Sequence, residues 1–228
     1  MSKKTSGLGR TLVMAPHPDD EILGAGGTIA RLAAEGEDVF IAVVTEGRLP
    51  NFSASLVATV REEALSAHRL LGVKETFWLK QPAAGLSETP HAALNASIFD
   101  IVTKIDPTTL VIPFVGDIHM DHQLTFLSSL VAARPHHPSF PKRIIAYETL
   151  SETNWNAPYI TPSFVPNFFI DIQDYVQKKL DAMRIFKSQV RASPHERSIE
   201  ALSALAVLRG ATVACPAAEA FVLVRQIV

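Results

Sequence analysis

The hydrophobic positions along this chain change period in a regular alternation. Residues 12–15 form a short apolar run of the kind that makes a strand buried on both faces. Residues 22–34 carry helical spacing, and residues 39–45 form a second buried strand. The stretch between the two runs is long enough for a right-handed crossover, and Gly36 stands where a left-handed helix cap is wanted, so the segment predicts a βαβ unit. The alternation continues with a helix over residues 58–71 closed by Gly72, a strand over 76–79, a helix over 91–105 and a strand over 110–113. Runs this uniformly apolar predict a mostly parallel sheet with helices on both faces, a Rossmann-like α/β fold. Residues 134–142, with three prolines and the pair His136-His137, predict a surface loop. Beyond it come strands over 143–147, 167–171 and 220–228 and helices over 175–187 and 196–209. No internal repeat or low-complexity linker interrupts the pattern, so residues 1–228 are expected to be one domain, with 1–9 as a flexible start.

Composition narrows the class. A chain of 228 residues with 47% hydrophobic and 19% charged residues can bury a core without disulfides or a structural metal, so any metal it holds is expected to be functional. The formal charge of −2 supplies no bulk attraction to nucleic acid or to an anionic membrane, which points to small-molecule partners. A lone cysteine, Cys215, excludes an intrachain disulfide and fits a cytoplasmic protein; its plain reading is a small buried apolar residue. The basic start leads only into a short apolar stretch that soon meets charges, so neither a signal peptide nor a transmembrane segment is expected.

In open α/β sheets ligands bind beyond the carboxyl ends of the strands, and two such places are unusually polar here. After the first strand comes Ala15-Pro-His17-Pro-Asp19-Asp20-Glu21; after the fourth comes Pro113 through Asp117, His119, Asp121 and His122. One acidic residue at a helix start is explained by capping and the macrodipole. Three in a row beside a histidine braced by two prolines are not. His17 and Asp20, three apart, can address one ion while Asp19 points elsewhere, and a histidine from the second segment would complete a two-histidine, one-carboxylate zinc site with an open position. Asp19 suits the general base that takes a proton from attacking water. The remaining histidine suits the donor, as an imidazolium, that stabilises the oxyanion and protonates the leaving amine, with Asp121 or Asp117 holding its tautomer. These residues alone leave His119 and His122 interchangeable between ligand and donor.

The stretch Ala15-Pro-His-Pro-Asp-Asp-Glu-Ile-Leu-Gly-Ala-Gly-Gly-Thr28, together with the segment from Pro113 to His122, resembles the PIG-L/LmbE-like zinc-dependent N-deacetylases. The likeness extends through Arg61-Glu-Glu-Ala and Leu71-Gly72 to Ala218-Glu219-Ala220-Phe221. It implies a hydrolase that removes acetyl from an N-acetylated amino sugar or sugar conjugate, with one Zn2+ per chain. It assigns His17, Asp20 and His122 as zinc ligands, Asp19 as base and His119 as the oxyanion or amine partner. It further suggests Arg61 as a sugar contact and a homo-oligomer. The family's acidic sugar contact after the third strand is replaced here by Gln81-Pro82-Ala83-Ala84-Gly85-Leu86, which points to an unusual amide-bearing sugar. A zinc amidase or esterase for a non-sugar metabolite and an inactive sugar-binding module are the competing readings.

Other features invite plainer explanations. Gly24, Gly26 and Gly27 fall inside the predicted first helix rather than before it, which predicts close helix packing instead of a phosphate loop. Arg191, His195 and Arg197, with Arg209, gather donors suited to a phosphate or carboxylate, in a loop where Ser193 is available as a cap. Tyr147 with Glu148, and the segment Thr153-Asn154-Trp155, follow the fifth strand and are expected to line the cleft. His68 lies beside the stripe Val60, Ala64, Ala67 and Leu71 and reads as structural.

Overall fold

A computed structural model describes residues 7–228 of the chain. Strand β1 (Thr11–Ala15), helix α1 (Asp20–Glu35) and strand β2 (Val39–Glu46) form the expected βαβ unit. Then follow α2 (Ala54–Leu71), β3 (Glu75–Pro82), α3 (His91–Ile105), β4 (Thr109–Pro113), α4 (Met120–Ala132) and β5 (Arg143–Tyr147). The remainder supplies β6 (Phe168–Asp171), α5 (Val176–Ile185), α6 (Ile199–Thr212) and β7 (Ala218–Gln226). The described residues build one seven-stranded sheet in the order β3-β2-β1-β4-β5-β7-β6, in which β7 alone runs opposite to the other strands.

Side chains alternate between the two faces of the sheet. Val13, Ile41, Val43, Val111 and Ile145 join α1, α2, α5 and α6 in one core, while Leu12, Met14, Ala42, Leu110 and Ile112 join α3 and α4 in the other. The helix ends obey capping chemistry. Gly36 and Gly72 adopt the left-handed conformation that closes α1 and α2, and Ser53 and Ser198 accept backbone N–H groups at the starts of α2 and α6. The cap of the last helix is therefore Ser198, not Ser193.

The structure corrects several expectations. α4 had no counterpart in the hydrophobic pattern. Of the start expected to be flexible, residues 1–6 lie outside the described residues, but Leu8 is buried and its carbonyl accepts a hydrogen bond from Thr109 Oγ1 at 2.6 Å. Cys215 is half-buried rather than a core residue.

The glycines of α1 do serve close packing. A Cβ on Gly24 would lie 2.1 Å from the Tyr147 ring, and one on Gly27 would lie 2.6 Å from Ile172. A buried ion pair grips the same helix from outside: Lys179 Nζ donates to Glu219 Oε1 at 2.6 Å and to the carbonyl of Leu23 at 2.8 Å, while Glu219 accepts the N–H groups of Gly27 and Thr28. These side chains take up backbone groups in the middle of the α1 ladder and fix where the helix lies.

Candidate metal centre and active-site cleft

β1 and β4 are adjacent parallel strands paired Thr11 to Thr109, Leu12 to Leu110 and Val13 to Val111, and from them the chain proceeds to opposite sides of the sheet. Their carboxyl ends flank the topological switch point, where α/β sheets open a crevice. The loop after β1 brings His17, Asp19 and Asp20; the loop after β4 and the first turn of α4 bring Asp117, His119, Asp121 and His122.

His17 Nδ1 and His122 Nε2 each lie 3.2 Å from the same oxygen, Asp20 Oδ2. The far nitrogens of both rings meet carboxylates, His17 Nε2 at 3.1 Å from Asp121 Oδ2 and His122 Nδ1 at 2.9 Å from Asp117 Oδ2. With those outer nitrogens donating, three lone-pair-bearing atoms face one another across a buried point. His122 Nε2 is buried without a hydrogen-bond partner. Three acceptors with no proton between them call for a cation, and carboxylates behind the imidazoles are the usual arrangement around a metal. His17, Asp20 and His122 thus form a group able to hold a metal ion, and a second such group, His17, His119 and Asp121, shares His17. The second is the poorer of the two, because Asp121 already accepts two backbone N–H groups, from Ala84 at 2.7 Å and Leu86 at 3.1 Å, whereas Asp20 accepts one, from His17 at 2.8 Å.

The electrostatics agree with this demand for positive charge. Burial disfavours charge on both imidazoles. Even so, hydrogen bonds to Asp121 and Asp20 push His17 up to about 9, and the Asp20 charge and the Asp117 bond push His122 up to about 10. Burial works against ionisation of Asp20 too, but the His122 charge and the His17 hydrogen bond hold its carboxyl well below the ordinary range. Asp19 goes the other way: burial, then the Asp20 charge, push it up to about 8 against the pull of Arg197.

Asp19 precedes the first residue of α1 with φ of 120°, a conformation rarely held by a residue with a side chain. Its carbonyl starts the helix by accepting from Ile22 and Leu23, and its N–H donates to Glu21 Oε2 at 3.2 Å. Glu21 is fixed in turn by His68, whose Nε2 lies 2.8 Å from Glu21 Oε1 and whose Nδ1 lies 2.8 Å from Thr76 Oγ1. The side chain of Asp19 makes no capping bond; its Oδ2 instead accepts from Arg197 Nη1 at 3.2 Å. His119 caps α4, its Nδ1 accepting the N–H of Asp121 at 3.1 Å, which leaves the ring proton on Nε2. Burial, followed by the nearby His17 charge, lowers its pKa, which disfavours the imidazolium form. Neither the Asp117 nor the Asp121 carboxylate is hydrogen-bonded to the His119 ring, because both carboxylates are committed to the other two histidines.

A cavity of about 240 Å³ opens above this centre. His17, Asp19 and His119 reach it from the sheet, and Glu152, Gln189 and Arg197 stand on one side. Arg197 is the one member of the expected donor loop that faces the cavity. Its guanidinium also reaches Ser151, Gln189 and Glu152. Arg191 is exposed and bonded to nearby backbone carbonyls, and His195 is exposed and accepts the N–H of Arg197. Arg209 is paired with Glu148 at 2.6 Å. Tyr147 is not in the cleft: it is fully buried beneath it, packed on Gly24, with its hydroxyl donating to the Met14 carbonyl at 2.9 Å. Thr153 supports the centre from behind, donating to Asp117 Oδ1 at 2.6 Å, whereas Trp155 is largely exposed and bonded to Glu196. Arg61 lies with its guanidinium 4.5 Å from the Trp78 ring centre and 3.5 Å from Glu46. Glu152 and Gln189 were missed in the sequence. The first follows β5 and falls under the strand-end rule; the second carries no sequence signal.

Residues 12–133 match the family described as PIG-L: GlcNAc-PI de-N-acetylase. The chain is 30% identical over 187 residues to an uncharacterized deacetylase, YaiS, of Escherichia coli (strain K12), covering 78% of this chain and 90% of the relative. It is 29% identical over 193 residues to a diacetylchitobiose deacetylase of Thermococcus kodakarensis, covering 79% of this chain and 70% of that protein. Among solved structures it resembles the conserved protein TT1542 from Thermus thermophilus, with a TM-score of 0.77, 26% identity and 96% of each chain covered.

Proposed function

We propose, on the premise that this chain belongs to the PIG-L family of de-N-acetylases, that it is a zinc-dependent hydrolase removing acetyl from an N-acetylated amino sugar or sugar conjugate. The observation that carries this reading is the meeting of His17 Nδ1, Asp20 Oδ2 and His122 Nε2 within 3.2 Å contacts, next to a carboxylate that caps nothing and faces the cavity. These three residues would hold the ion, with Asp121 and Asp117 fixing the two imidazoles. Bound zinc supplies Lewis acidity, bringing the pKa of a water toward ~7 and polarising a carbonyl.

The remaining chemistry falls to the chain. Asp19 takes a proton as water oxygen bonds to the amide carbon, and returns it to the nitrogen as the C–N bond breaks, giving acetate and a free amine. Its raised pKa suits both acts. The Nε2–H of His119 is free to donate to the oxygen that gains charge. Arg197 holds Asp19 in place while Glu152 and Gln189 offer partners to substrate polar groups. One ion per chain is the stoichiometry in this reading, held by the first of the two candidate groups.

Among the described residues no helix is long and apolar enough to cross a membrane. A cytoplasmic enzyme that acts on a small N-acetylated sugar, assembles as a homo-oligomer and binds no nucleic acid completes the reading. Acetate release from a panel of N-acetylated sugars by zinc-loaded protein tests it. A protein that binds zinc at this centre and releases acetate from none of them is not this enzyme.

A further inference from the structure

The cavity over the metal centre has two unlike sides. Its polar side chains, Thr45 apart, belong to the centre itself and to the flank formed by Glu152, Gln189 and Arg197. An apolar stretch of its wall comes from the segment between β2 and the middle of α2, and presents Phe52, Leu56, Val57 and Val60. Ala83 and Ala84, after β3, continue it. The one hydroxyl on that side, Thr45 Oγ1, is committed to the carbonyl of Pro16 at 2.8 Å. Arg61, the next residue of α2 after Val60, is turned onto the Trp78 ring and Glu46 and is not part of the wall. A bare hexose laid against this wall would lose water from its hydroxyls without gaining partners, at a cost for each unsatisfied group.

We infer that the substrate carries an apolar substituent beside the scissile amide, so that a hydrocarbon group covers Phe52, Leu56, Val57 and Val60 while the amide reaches the metal centre. This deepens the deacetylase reading and rests on it. The substituent is an alkyl or aryl group; it can be joined at the anomeric oxygen of an amino sugar or extend the acyl group itself, and the experiment has an arm for each.

Zinc-loaded protein is assayed by release of free amine from N-acetylglucosamine, its hexyl glycoside and N-hexanoylglucosamine. At the transfer cost of a methylene, each two methylenes that reach the wall raise kcat/KM roughly tenfold. At least one hexyl-bearing compound is therefore expected to exceed N-acetylglucosamine by tenfold or more, and which one does so identifies the attachment. In the double variant Leu56→Gln, Val60→Thr that ratio should fall toward one. Leu56 is 41% exposed, so the change is compatible with folding, and thermal unfolding checks it. If the variant does not fold, the wild-type comparison decides alone.

Equal kcat/KM for all three compounds, or a preference that survives in the folded double variant, overturns the inference. Affinities of the product amines, glucosamine and hexyl glucosaminide, separate the two levels. Tighter binding of the hexyl compound with no cleavage of any amide removes the deacetylase reading and keeps the apolar wall. Equal affinity, together with hexanoate bound no more tightly than acetate and the absence of cleavage, removes both.

Discussion

The chemistry of this centre is divided among side chains that single substitutions can tell apart. Asp19 is bonded to Arg197 and to no metal-facing atom, so Asp19→Asn should retain bound zinc, measured by elemental analysis, while kcat for acetate release falls on the order of 10²-fold or more. Asp117 acts one step back, through His122, and Asp117→Asn should instead weaken zinc affinity by roughly 10- to 100-fold, read by competition with a chromogenic chelator. An affinity unchanged by that substitution would remove the proposed support. His17, Asp19 and Asp20 were legible in the sequence because polar residues crowd a place where a buried strand ends. The proposed division of labour between His119 and His122 was legible only through the family resemblance, not from the residues themselves. It depends on ring orientation: one ring is spent capping α4 and the other is wedged between two carboxylates. Tyr147 misled for a related reason, since its position at a strand end is right but its side chain points into the helix-covered face.

At the level of elements, α1 carries Asp20, follows directly on the loop of His17, and is itself held by packing. Gly24→Ala would drive a methyl into the Tyr147 ring, so a loss of about 1–3 kcal/mol in urea unfolding is expected, with a drop in turnover as the loop before α1 shifts. Lys179→Met leaves Glu219 buried without its cation and should cost about 3 kcal/mol by the same measurement; an unchanged midpoint would show the pair to be idle. The glycines betrayed their packing role by standing inside a helical period. The Lys179–Glu219 clamp gave no sign, because its partners are 40 residues apart and neither lies in a motif with a spacing rule. α4 stayed hidden for the opposite reason. Its buried face includes Asp121, His122, Thr125, Ser128 and Ser129, so the helix that serves the site lacks the apolar stripe by which helices are read.

On the scale of the molecule, the centre sits beyond two cores that are built without it. Chelation should abolish acetate release, restored by added zinc, and lower the melting temperature, while the far-ultraviolet circular dichroism of the folded chain persists. Collapse of that spectrum would mean that the ion is structural. The in-register pairing of β1 with β4 has one more consequence. Both jaws of the grip hang from neighbouring rails whose separation, about 4.8 Å, is a constant of backbone geometry. Substitutions along the rim can therefore retune which molecules are accepted without recalibrating the jaws, and variants selected for new substrates should accumulate on α2 and the outer loops while the hinge pair of strands stays untouched.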